Sequence, residues 1–341
     1  PDRRVRSAGP GIPATLLSLA RPLRLPTSAE GLVTARTEEA AGSIPELTNI
    51  AILAVSLPVG WLCLWVASHW GWLWALVAAG GFAVVNNTPF CLMHEAVHGV
   101  LSRKRLLNEI LGTAAAATFP TSLSLQRIAH LGHHRRNRTD AEVYDYYLPG
   151  QSRALRNLQL YAGNLGGCYW ACIPLSNLVY LLAPWFYGSE KFISGPARHL
   201  GFEAYVREIA VGPRLKIWFE CLLALIYQVV IWRLLDLSWQ GWLLCYWAFA
   251  LHWSALQYVD HAWSPRDVTN GAWNLRVSRL ARAFALNYHY HLAHHRYPTT
   301  PWIHLPNLVD PSEPQPTFWS IYFSLWGGTR PAPPMGSPAT I

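Results

Sequence analysis

The chain predicts an all-α integral membrane protein, with four transmembrane helices in two hairpins beneath a cytosolic helical cap. Three observations carry this expectation. The 341 residues are 52% hydrophobic and only 13% charged, with 18 Trp, which is too apolar for an ordinary soluble domain of this length. From Leu47 to Met93 there is no Asp, Glu, Lys or Arg. Histidines at metal-ligand spacing also stand directly after the apolar runs.

Taken in order, residues 1–46 read as a flexible tail. Arg3, Arg4 and Arg6 precede a short apolar stretch, ATLLSLA, without a convincing cleavage site, so a signal peptide is not expected. Residues 47–305 read as one integrated domain. A crossing needs about 20 apolar residues, so the first uncharged run holds two spans, near 50–67 and 72–93, hinged at His69-Trp70-Gly71. A second pair follows near 216–235 and 240–259, hinged around Asp236. Glu220 and Arg233 are expected near the ends of the third span, reaching towards headgroups. The cap takes in 94–215 and 260–305. Residues 306–341 form a Pro-rich C-terminal tail whose FWSIYFSLW stretch is expected on the membrane surface.

Charge sets the orientation. Of 27 Lys and Arg, 6 precede the first span, 14 lie between the hairpins and 6 follow the fourth span; only Arg233 stands near the opposite face. Basic residues stay on the cytoplasmic side, so both termini and the middle segment should be cytoplasmic. Two more uncharged runs, Ile110–Gln126 and Asn157–Ser189, are each long enough to cross once. A crossing by the first would export Arg127, Arg135, Arg136 and Arg138 and separate histidine clusters that belong together. Both runs therefore read as interfacial or re-entrant helices roofing a site. The net charge of +8 suits anionic headgroups or an acidic partner protein, and nothing suggests nucleic acid. Cys63, Cys91, Cys168, Cys172, Cys221 and Cys245 all lie in apolar stretches and read as small buried hydrophobes in a reducing compartment.

Nine histidines carry the chemistry: His94 and His98 in HEAVH, His130, His133 and His134 in HLGHH, His261 in QYVDHAW, and His291, His294 and His295 in HLAHH. Partners three or four residues apart share one helix face, so each cluster aims its rings at one point. Nine nitrogen ligands exceed what one four- to six-coordinate metal uses, so two metals are implied. Imidazole sets without thiolate suit iron or zinc, and iron if dioxygen is to be activated. Glu95, Asp140, Asp260, Asp267 and Asn287 are candidates for the outer hydrogen bonds that such ligands need. HEAVH is also HExxH, the metalloprotease pattern, which would need one further ligand. ExxH also occurs in ferritin-like bundles, but those require a second copy and further Glu ligands. His69, His199, His252, His289 and His304 stand outside the pattern and read as structural or interfacial.

HEAVH, HLGHH and HLAHHRYP, with apolar hairpins before the first and third, resemble the three histidine boxes of the integral-membrane fatty acid desaturase/hydroxylase superfamily, over roughly Ile50 to Leu305. The resemblance implies a cap holding two non-haem Fe ions that use O₂ to oxidise an unactivated C–H bond of a fatty acid or fatty-acyl chain, in contact with membrane lipid. Desaturation is the leading reaction. The alternatives are hydroxylation or ketolation of an alkyl or carotenoid substrate, and oxidative decarboxylation of a free fatty acid to a terminal 1-alkene. The same resemblance implies that His261 is a ligand and that the amide of Gln257, four residues earlier, holds a metal-bound water; Gln stands where stearoyl-type desaturases have Asn. The first box is HxxxH instead of HxxxxH. DHAWSPRDVTNGAWNL is more similar to bacterial and carotenoid branches, which implies a bacterial inner membrane. The alkyl tail is expected in a tunnel between the four spans. Electrons would come from a separate ferredoxin or cytochrome with its reductase, docking on Arg135, Arg136 and Arg138. A free acid would need a cation near the tunnel mouth, from Arg127, Arg266 or Arg276.

Overall fold

A computed structural model describes residues 42–340, so most of the expected N-terminal tail lies outside the described residues. Helix α1 (Glu46–His69) starts with an acidic first turn behind Pro45 and continues through Pro58. After a break at Trp70-Gly71, α2 (Trp72–Val85) and α3 (Asn87–His98) run on as one apolar stretch of 27 residues. Gly99, at φ 78°, ends α3 immediately after His98, using a left-handed conformation that is cheap only without a Cβ.

Helices α4 (Arg105–Thr118) and α5 (Leu123–Arg136) follow. The 14 residues of α4 extend about 21 Å, too short to cross, and the uncharged run breaks at Phe119–Ser122. Next come α6 (Arg153–Leu158), extended by a π-helical turn to Leu165, and α7 (Cys168–Leu182), the two arms bent by 80°. At the bend Gly167 has φ +85°, and a Cβ there would sit 3.1 Å from the Ala250 backbone. Helix α8 (Glu203–Ala210) leads to the second hairpin, α9 (Arg214–Leu234) and α10 (Trp239–Val259). Short helices α11 (Arg279–Phe284), α12 (His291–Arg296) and α13 (Phe318–Leu325) complete the chain. One small parallel pairing joins β1 (Tyr146–Tyr147) to β2 (Arg330–Pro331).

Among the described residues, three helices are long and apolar enough to cross a membrane: α1, the α2–α3 stretch and α9; the number rises to four if the bent α6–α7 pair is counted as one span. The expected fourth span, 240–259, is the 21-residue helix α10, but Gln240, His252, Ser254 and Gln257 make it more polar than the other three. It is packed inside: Phe82, Phe90, Phe119, Tyr246, Phe249 and Trp253 form an aromatic core, with Phe119 and Trp253 centroids 4.7 Å apart in the edge-on geometry aromatic rings prefer. A Cβ on Gly241 would lie 2.7 Å from the Ala67 carbonyl, so α10 meets α1 backbone to backbone.

Three sequence expectations change here. Glu220 does not reach for headgroups. It is buried, accepting from Ser122 Oγ and Ser124 N at 2.7 Å each, which places an anion at the N-terminus of α5 where the helix dipole favours it. Cys168 and Cys172 are exposed, whereas Cys91, Cys221 and Cys245 are buried. Residues 306–341, read as a tail, pack on the domain: Ile321 and Leu325 of α13 are fully buried beside Trp263, whose indole N–H donates to Ser324 Oγ at 2.8 Å.

Candidate metal centre

Each histidine-bearing segment is fixed by its own local chemistry. His94 and His98 end α3, one turn apart, as it leaves the apolar core. Ser122 caps α5 by accepting from Leu125 N, and His130, His133 and His134 occupy the last two turns of that helix. His261 follows α10 in a turn closed by its N–H on Tyr258 O at 3.0 Å. Helix α12 is only six residues long and is held from outside: Leu292 N donates to Trp273 O at 3.2 Å, and Ala293 N to Asn274 Oδ1 at 3.1 Å.

These segments bring the nine histidines into two adjoining groups. His94, His98, His130 and His294 place one ring nitrogen each within 4.8 Å of one another, and His133, His261, His291 and His295 do the same. His134 joins the first group, its Nε2 lying 3.0 Å from both His130 Nε2 and His294 Nε2. In the second group His133 Nε2 is 3.1 Å from His261 Nε2 and 3.3 Å from His295 Nε2, and His291 Nε2 is 3.0 Å from His261 Nε2. The groups touch through His134 and His295, centroids 4.4 Å apart.

The hydrogen bonds on the far side of these rings say what the near side can hold. His133 Nδ1 lies 2.8 Å from Glu142 Oε2, and His261 Nδ1 lies 2.8 Å from the Gly271 carbonyl. A carbonyl or a carboxylate only accepts, so the proton of each neutral imidazole sits on Nδ1. Their Nε2 lone pairs then face each other at 3.1 Å, a repulsive arrangement unless a cation lies between them. Nitrogen ligands about 2.1 Å from a metal stand about 3.0–3.4 Å apart at neighbouring positions of octahedral or tetrahedral geometry, and the five pairs above fall in that interval. Burial pushes His130, His261, His291, His294 and His295 well below the usual imidazole value, helped by neighbouring rings, and brings His134 to about 3. Neutral imidazole is the ligating form. The residues therefore fit two cations.

Of the expected outer partners, Asp260 is closest, with Oδ2 3.6 Å from His291 Nδ1 and both oxygens buried without a hydrogen-bond partner. Glu95 Oε1 is 4.0 Å from His94 Nδ1, but Oε2 is committed to Trp302 N at 2.9 Å. Asp140 pairs with Arg266, Asp267 holds its own loop through Thr269 N, and Asn287 donates to Trp302 O; none of the three meets a ligand ring. The protease pattern fits poorly, since His94 and His98 have three further imidazoles around them and Glu95 is turned aside. Glu142 and the Gly271 carbonyl escaped the sequence reading. Glu142 follows His133 by nine residues across the left-handed turn at Arg138 (φ 60°), and no helical spacing points to it. His289 is buried beside Tyr290, outside both groups, with neither ring nitrogen bonded.

Gln257 accepts from Tyr288 Oη at 3.1 Å, leaving its Nε2 buried and unpartnered. Gln257 and Tyr288 join His94, His130, His133, His261 and His291 at one end of a cavity of about 440 Å³. The rest of that cavity is not the tunnel between the four spans that the sequence predicts. Phe90, Met93, Val97 and Trp253 contribute from α3 and α10, but most of the wall comes from Tyr144 and the stretch between Asn164 and Val206. Arg127, Arg266 and Arg276 do not line it: Arg127 pairs with Glu109 and Arg266 with Asp140. The expected docking cations also change. Arg138 is fully buried, 2.8 Å from Asp145, and Arg136 is half-buried between Glu142 and Glu208, so only Arg135 of the three is exposed.

No curated protein matches the chain. The family model described as fatty acid desaturase matches residues 68–323, which takes in every histidine of both groups and the cavity they face, and the chain belongs to that family.

Proposed function

We propose that this protein is an O₂-dependent non-haem di-iron oxidase that desaturates a fatty acid or fatty-acyl chain. The observation that carries this reading is the pair of histidine groups opening onto one largely apolar cavity. The irons, when bound, would activate O₂ against an unactivated C–H bond. His94, His98, His130, His134 and His294 would hold one, and His133, His261, His291 and His295 the other. Glu142 and the Gly271 carbonyl fix two tautomers, and Gln257 offers an amide N–H beside the cavity to hold a water. Phe90, Met93, Val97 and Trp253 exclude bulk water from the reacting carbons.

Removing two hydrogens while reducing O₂ to two waters consumes two electrons and two protons beyond those the chain gives up. A separate ferredoxin- or cytochrome-type donor with its reductase would supply the electrons, docking on exposed cations such as Arg135. The reading also takes α10 as a fourth crossing, with both termini cytoplasmic in a bacterial inner membrane.

Iron content and product mass test the proposal together. The purified protein should carry iron, and His133→Ala and His294→Ala should each lower both iron and turnover. Cells fed fatty acids of different lengths should yield products lighter by two hydrogens. Added oxygen would indicate hydroxylation, and loss of carbon dioxide would indicate alkene formation. Full activity in both His variants would remove the metal from the mechanism.

A further inference from the structure

The cavity reaches the surface at a rim that is apolar. Leu175, Phe186 and Leu200 each line it while remaining 59%, 39% and 47% exposed. Around them Leu178, Leu182 and Trp185 extend the exposed apolar surface, with Trp185 73% exposed. This patch is joined to the outer face of α9, one of the three helices able to cross a membrane: Trp218 Nε1 donates to Leu181 O at 3.1 Å, and Phe219 beside it is exposed. The α6–α7 pair is as apolar as a span, yet its 80° bend prevents it from crossing as a rod. Lys191 stands exposed next to Phe192 of the cavity wall, placed for an anionic headgroup, while Arg198 faces Glu203 at 3.7 Å. An exposed apolar patch with Trp within it and a cation at its border suits the interfacial layer of a bilayer.

We propose that the substrate chain passes into the cavity sideways from the lipid phase, between Leu175, Phe186 and Leu200, so that the protein draws on chains dissolved in the membrane and not on chains tethered to a soluble acyl-carrier protein. An acidic carrier would need free cations on the rim itself. The rim offers Leu, Phe and Leu; beyond it Arg207 is committed to Glu190 and Glu203 and Arg198 faces Glu203, so of these cations Lys191 alone is left, enough to meet a lipid headgroup and too little for an acidic protein surface. The identity of the chain rests on the oxidase reading above; the portal rests on the cavity and its exposed border.

The test uses the full chain in vesicles of phosphatidylcholine and phosphatidylglycerol. Nitroxides at Leu175→Cys and Leu200→Cys, with Cys168 and Cys172 replaced by Ser, should collide with O₂ in preference to a water-soluble nickel chelate, and a label at Arg135→Cys should show the reverse. Preference for the chelate at both rim positions would overturn the portal. In the unmodified chain Cys172 lines the cavity and Cys168 does not, so alkylation read by peptide mass spectrometry reports occupancy. Dodecanoic acid dissolved in the vesicles should slow Cys172 labelling about tenfold at about ten times its dissociation constant, leaving Cys168 unchanged. Protection by the dodecanoyl carrier protein alone, or by neither probe, would overturn the proposal. Neither readout depends on bound iron: a water-facing rim with iron retained sinks the portal alone, and a lipid-facing rim without iron sinks the oxidase reading alone.

Discussion

Replacing Glu142 by Gln asks whether the second histidine group is made ready for a cation by its outer hydrogen bonds. The carboxylate accepts from His133 Nδ1 at 2.8 Å and from Arg136 Nε at 3.1 Å. Burial alone would raise this carboxyl, but the bonds and charges of His133 and Arg136 outweigh it and hold it below the ordinary range. Gln keeps the volume but has one acceptor oxygen. If that oxygen stays on His133, the amide NH₂ points at a guanidinium; if it turns to Arg136, His133 loses its acceptor. One bond must be lost either way. Outer partners of this kind are worth about 10–100-fold in metal affinity, or about 1.4–2.7 kcal/mol. Titrating purified protein with a chelator while counting iron per chain should give two release steps in Glu142→Gln. The half held by His133, His261, His291 and His295 should leave at chelator concentrations lower by about that factor. Asp140→Asn, which alters a carboxylate bound to Arg266 and touching no ligand ring, should release iron as the unmodified protein does. An unshifted curve in Glu142→Gln, or an equal shift in Asp140→Asn, would refute the reasoning.

Other outcomes follow from the same contacts. Arg138→Ala leaves Asp145 charged and buried, and should lower stability by about 3–5 kcal/mol, read as a large fall in the melting temperature in detergent. Tyr258→Phe removes a hydroxyl that accepts from Asp145 N at 2.8 Å and donates to Asp145 Oδ1, and should cost about 1–3 kcal/mol by the same measurement. Burial opposes ionisation of Glu109, but the bonds from Arg127 and Lys216 more than offset it and bring its pKa from 4.5 to about 2. The folded value lies below the unfolded one, so this stabilisation is complete above pH 4.5 and drains away as pH falls towards about 2. The melting temperatures of the unmodified protein and Glu109→Gln should differ at neutral pH and converge in acid. A Cβ on Gly112 would lie 2.4 Å from Ala96 Cβ, so Gly112→Val should cost about 1–3 kcal/mol by prising α4 from α3, without altering the ligand set.

The parts of the fold legible in the sequence are those governed by local pattern. The uncharged run from Leu47 to Met93 announced α1 and the α2–α3 stretch, and the i, i+4 pair His94/His98 announced a shared face. Asp236, left-handed at φ 48°, stands where the second hairpin was expected to turn. Legibility ends where a side chain's role depends on a remote neighbour. Glu220 looked like a charge near the end of a span, and its task at the start of α5 becomes visible only when α9 lies beside Ser122 and Ser124. Arg138 looked like a surface cation in a basic run, RRNR. Its burial follows from Asp145 and Tyr258, seven and 120 residues away. The C-terminal segment read as a tail for the same reason: Ile321 and Leu325 pack beside Trp263, while Trp319, Phe323 and Trp326 keep an exposed apolar face.

The Arg138–Asp145–Tyr258 cluster explains how the rings of two of the four histidine segments are held facing one another. Tyr258 precedes His261 by three residues on the turn leaving α10, and Arg138 follows His134 by four on the segment leaving α5. Asp145 Oδ1 joins them, 2.8 Å from Arg138 Nη1 and 2.5 Å from Tyr258 Oη, while Oδ2 accepts from Trp263 N at 2.7 Å. A fully buried ion pair contributes little net stability against an apolar replacement, but breaking it is costly, and that asymmetry makes it a good clamp. It fixes the ends of two ligand-bearing segments from below while Glu142 and the Gly271 carbonyl fix their tautomers from the side. The lone pairs of His133 and His261 are thereby held at a separation they would not choose unaided. The clamp maintains that repulsion, and a cation relieves it on binding. If these rings hold the proposed irons, iron affinity measured by chelator titration should therefore fall when Asp145 or Tyr258 is altered, although neither residue touches a histidine ring nitrogen of either group.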